Sequence, residues 1–133
     1  MPKIKDLNAA YNADGNAEKT EALDRLVKKI TKENLWIYIL RLLQDKPHYG
    51  YEIRKNIKEK FGFSPATVSG YVILYKMKND HLIEEVKVED EEAKESGKPN
   101  RTYYAITELG KQSMRNAKEY LQTLLNDVFD LTE

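Results

Sequence analysis

Between Lys32 and Gln44 the chain places Leu35, Trp36, Ile37, Tyr38, Ile39, Leu40, Leu42 and Leu43 in one predicted helix that has almost no polar face. A helix apolar all round has to be covered on several sides, so the flanking segments must wrap it. At 133 residues the chain is long enough for one domain with a real core. The longest unbroken apolar run, Leu35 to Leu40, is far short of the roughly 20 residues a membrane-spanning helix needs. The N-terminus lacks the charged-then-apolar layout of a signal peptide. A soluble cytoplasmic protein is the expectation.

The flanks supply the covering elements. Residues 1–16 show no periodicity and read as a flexible arm. Within residues 17–31, Ala22, Leu23, Leu26, Val27 and Ile30 share one face, which predicts an amphipathic extension helix. Thr31 is placed to cap the apolar helix that follows. After Pro47 a third helix runs from about Tyr49 to Lys60, with Gly62 placed to end it. A turn at Phe63, Ser64 and Pro65 leads to a fourth helix over residues 67–79. On that helix Gly70, Ile73, Leu74 and Met77 fall in a narrow inward arc, while Val68, Val72, Tyr75, Lys76 and Asn79 point outward. Leu82 to Val88 and Arg101 to Thr107 alternate as two strands, joined by a polar loop from Glu89 to Asn100. Thr107 can cap a last helix, Glu108 to about Leu131. There Met114, Ala117, Leu121, Leu124, Val128 and Leu131 recur at intervals of 3 and 4, a heptad seam.

Charge is balanced overall, with 22 Lys and Arg against 22 Asp and Glu. The balance is a cancellation of unlike parts. Residues 46–81 carry seven cations and three carboxylates, a net +4, and residues 82–97 carry two cations and seven carboxylates, a net −5. The chain has no Cys, which excludes disulfides and thiolate chemistry, and with only His48 and His81 no metal or cofactor site is expected. No phosphate-binding Gly loop and no Gly-x-Ser-x-Gly turn occurs, so an enzyme is not the expected class.

Short helices followed by a β-hairpin predict a mainly α fold of the winged helix-turn-helix type over residues 32–107, with residues 108–133 as a dimerisation helix. In this arrangement the helix after the turn enters the major groove of double-stranded DNA. Ser64, Thr67 and Ser69 supply hydroxyls for phosphates and base edges, and Tyr71, Val72, Tyr75 and Lys76 supply the outward face. Lys78 adds cationic reach. Carboxylates repel phosphates, so Glu89 to Glu92 should face away from DNA and leave wing contacts to Lys98 and Arg101. The seam residues Met114, Ala117, Leu121, Leu124 and Val128 are the candidate homodimer contacts. A different class of reading is a winged-helix module that binds protein through the acidic hairpin and the helix over 18–30.

Several stretches carry a resemblance. Ile39-Leu40-Arg41-Leu42-Leu43, Pro47-His48-Tyr49-Gly50-Tyr51-Glu52-Ile53, Tyr71-Val72-Ile73-Leu74-Tyr75-Lys76-Met77 and Leu82-Ile83 resemble the PadR family of phenolic-acid-responsive transcriptional regulators. Gly97 through Gly110, with Tyr103-Tyr104-Ala105-Ile106-Thr107-Glu108, resembles that family's wing-to-helix signature. The resemblance implies a short-form dimeric repressor with a single C-terminal helix. It also implies a small aromatic effector near the dimer interface, where Trp36, Tyr38, Tyr120 and Phe129 are the candidate lining. Tyr71 matches the family's recognition-helix Tyr. Two positions depart: Val72 stands where Pro is common, and Gly70 where a core aliphatic is more usual.

Overall fold

The computed structural model describes residues 2–12, 20–65, 67–89, 91–97 and 101–129. Helices α1 (Ile4–Asn12) and α2 (Glu21–Ile30) precede α3 (Leu35–Leu43), and strand β1 (His48–Tyr49) leads into α4 (Gly50–Phe61). Helix α5 (Thr67–Asn79) is followed by β2 (Ile83–Val86), the short α6 (Glu91–Ser96), β3 (Tyr103–Ile106) and the long α7 (Glu108–Val128). The fold class is the expected one, mainly helical with a small antiparallel sheet. The sheet has three strands in the order β1-β3-β2, with His48 opposite Tyr104 and Glu85 also opposite Tyr104. The first strand, only two residues long, lies where a helix start was expected.

Helix α3 is central. Leu35, Tyr38, Ile39, Leu40, Leu42 and Leu43 are buried, and Ile53 and Ile57 of α4, Leu74 and Met77 of α5, Phe63 and Ile83 close over them. Each fully buried aliphatic contributes about 1.5–3 kcal/mol relative to exposure. Trp36 and Ile37 are only half-buried and Arg41 is exposed, so one side of α3 remains open toward α7.

Local chemistry sets the helix ends. Thr20 accepts from the Leu23 amide at 3.1 Å and starts α2. Thr31 does not cap α3. Its amide and hydroxyl both donate to the Val27 carbonyl, at 2.9 and 2.7 Å, so it closes α2 instead, and Asn34 precedes α3. Gly62 ends α4 in the left-handed region, at φ 78°. Thr107 caps α7 by accepting from the Gly110 amide at 3.0 Å.

Two segments differ from expectation. Residues 4–12, expected within a flexible arm, form α1, while residues 13–16 of that arm lie outside the described residues. Asn8 is buried and donates its side-chain amide to the Phe61 carbonyl at 2.7 Å, one of the carbonyls a helix end leaves unpaired. The Cβ that Gly62 lacks would stand 2.2 Å from the Lys5 carbonyl, so α1 rests directly on the end of α4. The polar loop over 89–100 contains α6, whose Lys94 ammonium pairs with Glu89.

Tyr38 carries a pH prediction. Its ring packs edge-on against Phe61 and Phe63, with centroids at 5.2 and 4.9 Å, and its hydroxyl donates to the Ile30 carbonyl at 2.9 Å. Burial pushes the phenol above its ordinary value of about 10. A raised folded-state value means this stabilisation is complete below about pH 10 and is lost as pH rises through the folded value. Tyr38→Phe is expected to cost about 1 kcal/mol at pH 7, from the lost hydrogen bond. The gap to the parent should narrow by pH 11 in urea unfolding. A gap that widens with pH contradicts the assignment.

Candidate nucleic-acid interface

Helix α5 occupies residues 67–79 as expected, and its two faces are sharply different. Gly70, Leu74 and Met77 are buried and Ile73 half-buried. Tyr71 is 59% exposed, Val72 48% and Tyr75 68%, and Lys76 and Asn79 lie on the same outward side. Lys76 makes no ion pair among the described residues, whereas Lys78 pairs with Glu85 of β2 at 3.0 Å. Lys78 therefore ties α5 to the sheet, and Lys76 is the cation left to the open face. Ser64 is exposed in the turn before α5. The side chains of Thr67 and Ser69, and the whole of Lys98, lie outside the described residues.

The C-terminal end of α5 is fixed to the wing and to α7. His81 turns the chain with a positive φ of 61°, the Thr107 hydroxyl donates to the His81 carbonyl at 2.6 Å, and the Thr107 amide donates to the Leu82 carbonyl at 3.1 Å. One threonine thus caps α7 and holds the end of α5. The two helices are mechanically linked.

A second group of side chains continues the surface from α5 toward the wing; Arg101 was expected there, whereas Tyr49, Tyr51 and Arg54 were not. The Arg101 guanidinium carbon lies 4.5 Å from the Tyr49 ring centroid, Tyr103 meets Tyr49 edge-on at 5.3 Å, and Tyr51 stacks on Tyr49 at 6.5 Å. Tyr51 is exposed, and the guanidinium carbon of Arg54 lies 5.1 Å from the Tyr71 ring centroid. Gly50 lies beside the same ring, its Cβ position 3.6 Å from Tyr71 Cε1, an ordinary contact distance. The pairing of β1 with β3 brings Tyr49 to Tyr103, and a two-residue strand has no periodicity to read. Tyr104 packs against the core instead, and burial first, then Glu85, pushes its phenol above the ordinary value.

The seam on α7 divides in two. Met114 packs against its own core and Ala117 and Leu124 are half-buried, while Leu121 and Val128 are exposed together with Leu125. Leu131 lies outside the described residues. The aromatic residues expected to share one cavity are not all together. Trp36 and Tyr120, with Ile30, Ile37 and Leu121, line a groove of about 510 Å³ between α3 and α7. Tyr38 is two residues from Trp36, about 200° around the helix, and so points into the core on the opposite side. Phe129, at the end of α7, is exposed and does not line this groove. A neighbouring groove of about 720 Å³ has Ile37, Leu121 and Leu125 in its wall and Arg41, Lys111, Arg115 and Lys118 around it. Among the described residues no helix is long and apolar enough to cross a membrane.

Comparison with known proteins adds identity at the level of family. The transcriptional regulator PadR-like family matches residues 39–116, more than half of the chain. The structure of a PadR family transcription regulator from Clostridium difficile is similar at a TM-score of 0.58 and 28% identity, covering 71% of this chain and 97% of that one. One from Eggerthella lenta has a TM-score of 0.65 at 20% identity, covering 81% and 89% of the two chains. A transcriptional regulator from Clostridium thermocellum has a TM-score of 0.62 at 21% identity, covering 86% and 99%. No curated protein matches.

Proposed function

Because the chain belongs to the transcriptional regulator PadR-like family, we propose that it regulates transcription by binding double-stranded DNA, with α5 in the major groove and the β2–β3 wing along the backbone. The observation that carries this reading is the outward face of α5. Tyr71, Val72 and Tyr75 stand about half or more exposed beside Lys76 on a helix whose other face is buried. Apolar and aromatic groups clustered in water mark a contact surface, and a helix so placed after a turn is the element that reads base edges.

Two copies joined through Leu121, Leu125 and Val128 of α7 would present two α5 helices to successive major-groove faces about 34 Å apart on a pseudo-palindrome. Occupied promoter DNA is closed to transcription, so repression is the assigned outcome. A planar aromatic molecule in the groove between Trp36 and Tyr120 would act on α7, and through Thr107 on α5. The acidic segment around α6 adds repulsion from phosphates, which places the binding energy in a few close contacts.

Selection of bound duplexes from a random pool tests the reading and gives the half-site spacing in the same experiment. On the selected duplex, Tyr75→Ala is expected to lower the ratio of specific to non-specific affinity about tenfold, within the 1–3 kcal/mol range of a base contact. Lys76→Ala should reduce the slope of log affinity against log salt by about 0.9. A pool that yields no enriched duplex at low salt would favour a protein-binding module instead.

A further inference from the structure

Arg54 lies on α4 with its stem against α5. The Cβ that Gly70 lacks would stand 3.5 Å from Arg54 Cδ and 3.8 Å from its Cγ, ordinary van der Waals distances, so the arginine stem lies along α5 at this point. The guanidinium then reaches the Tyr71 ring, 5.1 Å from carbon to centroid, a cation–π distance.

The charge is otherwise unanswered. Arg54 Nη1 is buried without a hydrogen-bond partner, and Arg54 makes no ion pair among the described residues. A guanidinium cannot escape by losing its proton, and a buried donor left unpaired keeps its full desolvation cost. Nearby, the first turn of α5 presents the positive end of its own dipole. Arg54 as a whole is only half-buried, and among the described residues no carboxylate pairs with it, so the complementary partner of its guanidinium is an oxygen anion from outside the chain. Tyr71, on which the guanidinium rests, belongs to the exposed face assigned above to DNA. The anion that docks on that face is the phosphodiester backbone.

We propose that Arg54 is a phosphate ligand of the DNA interface, its guanidinium held on Tyr71 and neutralised by a backbone phosphate beside the groove that α5 enters. This inference rests on the DNA-binding reading. The contact carries no base information, so it sets affinity and register and leaves sequence choice to the outer face of α5.

The test uses the full chain and the selected duplex, titrated by fluorescence anisotropy from about 50 to 200 mM salt. Arg54→Met keeps the apolar stem and removes the charge. It is expected to lower the salt slope by about 0.9 per subunit and to weaken selected and unrelated duplexes by the same factor, about tenfold. Duplexes carrying one neutral methylphosphonate at each backbone position provide a second arm. One position per half-site should weaken the parent about tenfold and leave Arg54→Met unaffected. If Arg54→Met melts early, Arg54→Lys enters the same scan. It should keep the salt slope, because the charge remains, while binding more weakly without the planar fork. An unchanged slope in Arg54→Met, or no backbone position whose effect depends on residue 54, overturns the assignment and leaves the DNA-binding reading standing. Failure of the parent chain to bind any duplex overturns both.

Discussion

Gly110→Ala is expected to destabilise the protein by about 3 kcal/mol, at the upper end of the range for overpacking, and to lower Tm by about 10 °C. The new Cβ would stand 2.4 Å from the Leu82 carbonyl oxygen and 2.8 Å from Ile106 Cγ1. The isoleucine can move, but the carbonyl is held. It accepts the Thr107 amide at 3.1 Å, and the preceding carbonyl, of His81, accepts the Thr107 hydroxyl at 2.6 Å. Relieving the clash therefore means breaking the junction that joins the end of α5, the start of β2 and the first turn of α7. Thermal melting followed by circular dichroism measures the effect. A loss below about 1 kcal/mol would show that this junction yields easily and cannot transmit a shift from α7 to α5.

The second large effect concerns α7. Leu121→Glu should convert a dimer into a monomer with nearly unchanged Tm, because the side chain is 41% exposed in the single chain and its loss opens no cavity there. Operator affinity should then fall by a hundredfold or more, since two linked reading heads gain about 10²–10⁴ over one. Sedimentation equilibrium and anisotropy on the selected duplex give the two readouts. A variant that stays dimeric would remove the α7 seam from the assembly, and a monomer with full operator affinity would remove the need for two α5 helices.

Much of this architecture can be read from residue spacing. Helix α5 follows from the arc of Gly70, Ile73, Leu74 and Met77, because 100° per residue leaves no other solution for burying them. The strands β2 and β3 follow from alternation, and the start of α7 from Thr107. Helix α1 was not read, because its apolar spacing is only Ile4, Leu7 and Tyr11, with Ile4 and Leu7 still exposed, and what seats it includes a hydrogen bond from Asn8 to a carbonyl 53 residues away. The same reason hides β1, whose two residues become a strand only by pairing with β3. Within the site, Tyr71, Val72, Tyr75 and Lys76 follow from helical phase. Arg54, Tyr49 and Tyr51 do not, since their significance comes from neighbours on other elements.

What the sequence by itself determined is the set of elements with a repeating apolar pattern, the family signature, and a charge distribution that places +4 before −5 along the chain. Periodicity is a local property, and so is capping. The tertiary structure alone decided which side of α3 stays open, that Tyr38 belongs to the core while Trp36 faces Tyr120, and that Lys78 is committed to Glu85 while Lys76 is not. It also decided that Arg54 of α4 lays its guanidinium on Tyr71 of α5. These are contacts between residues distant in sequence. Their energies depend on distance and burial, which exist only once the helices have packed.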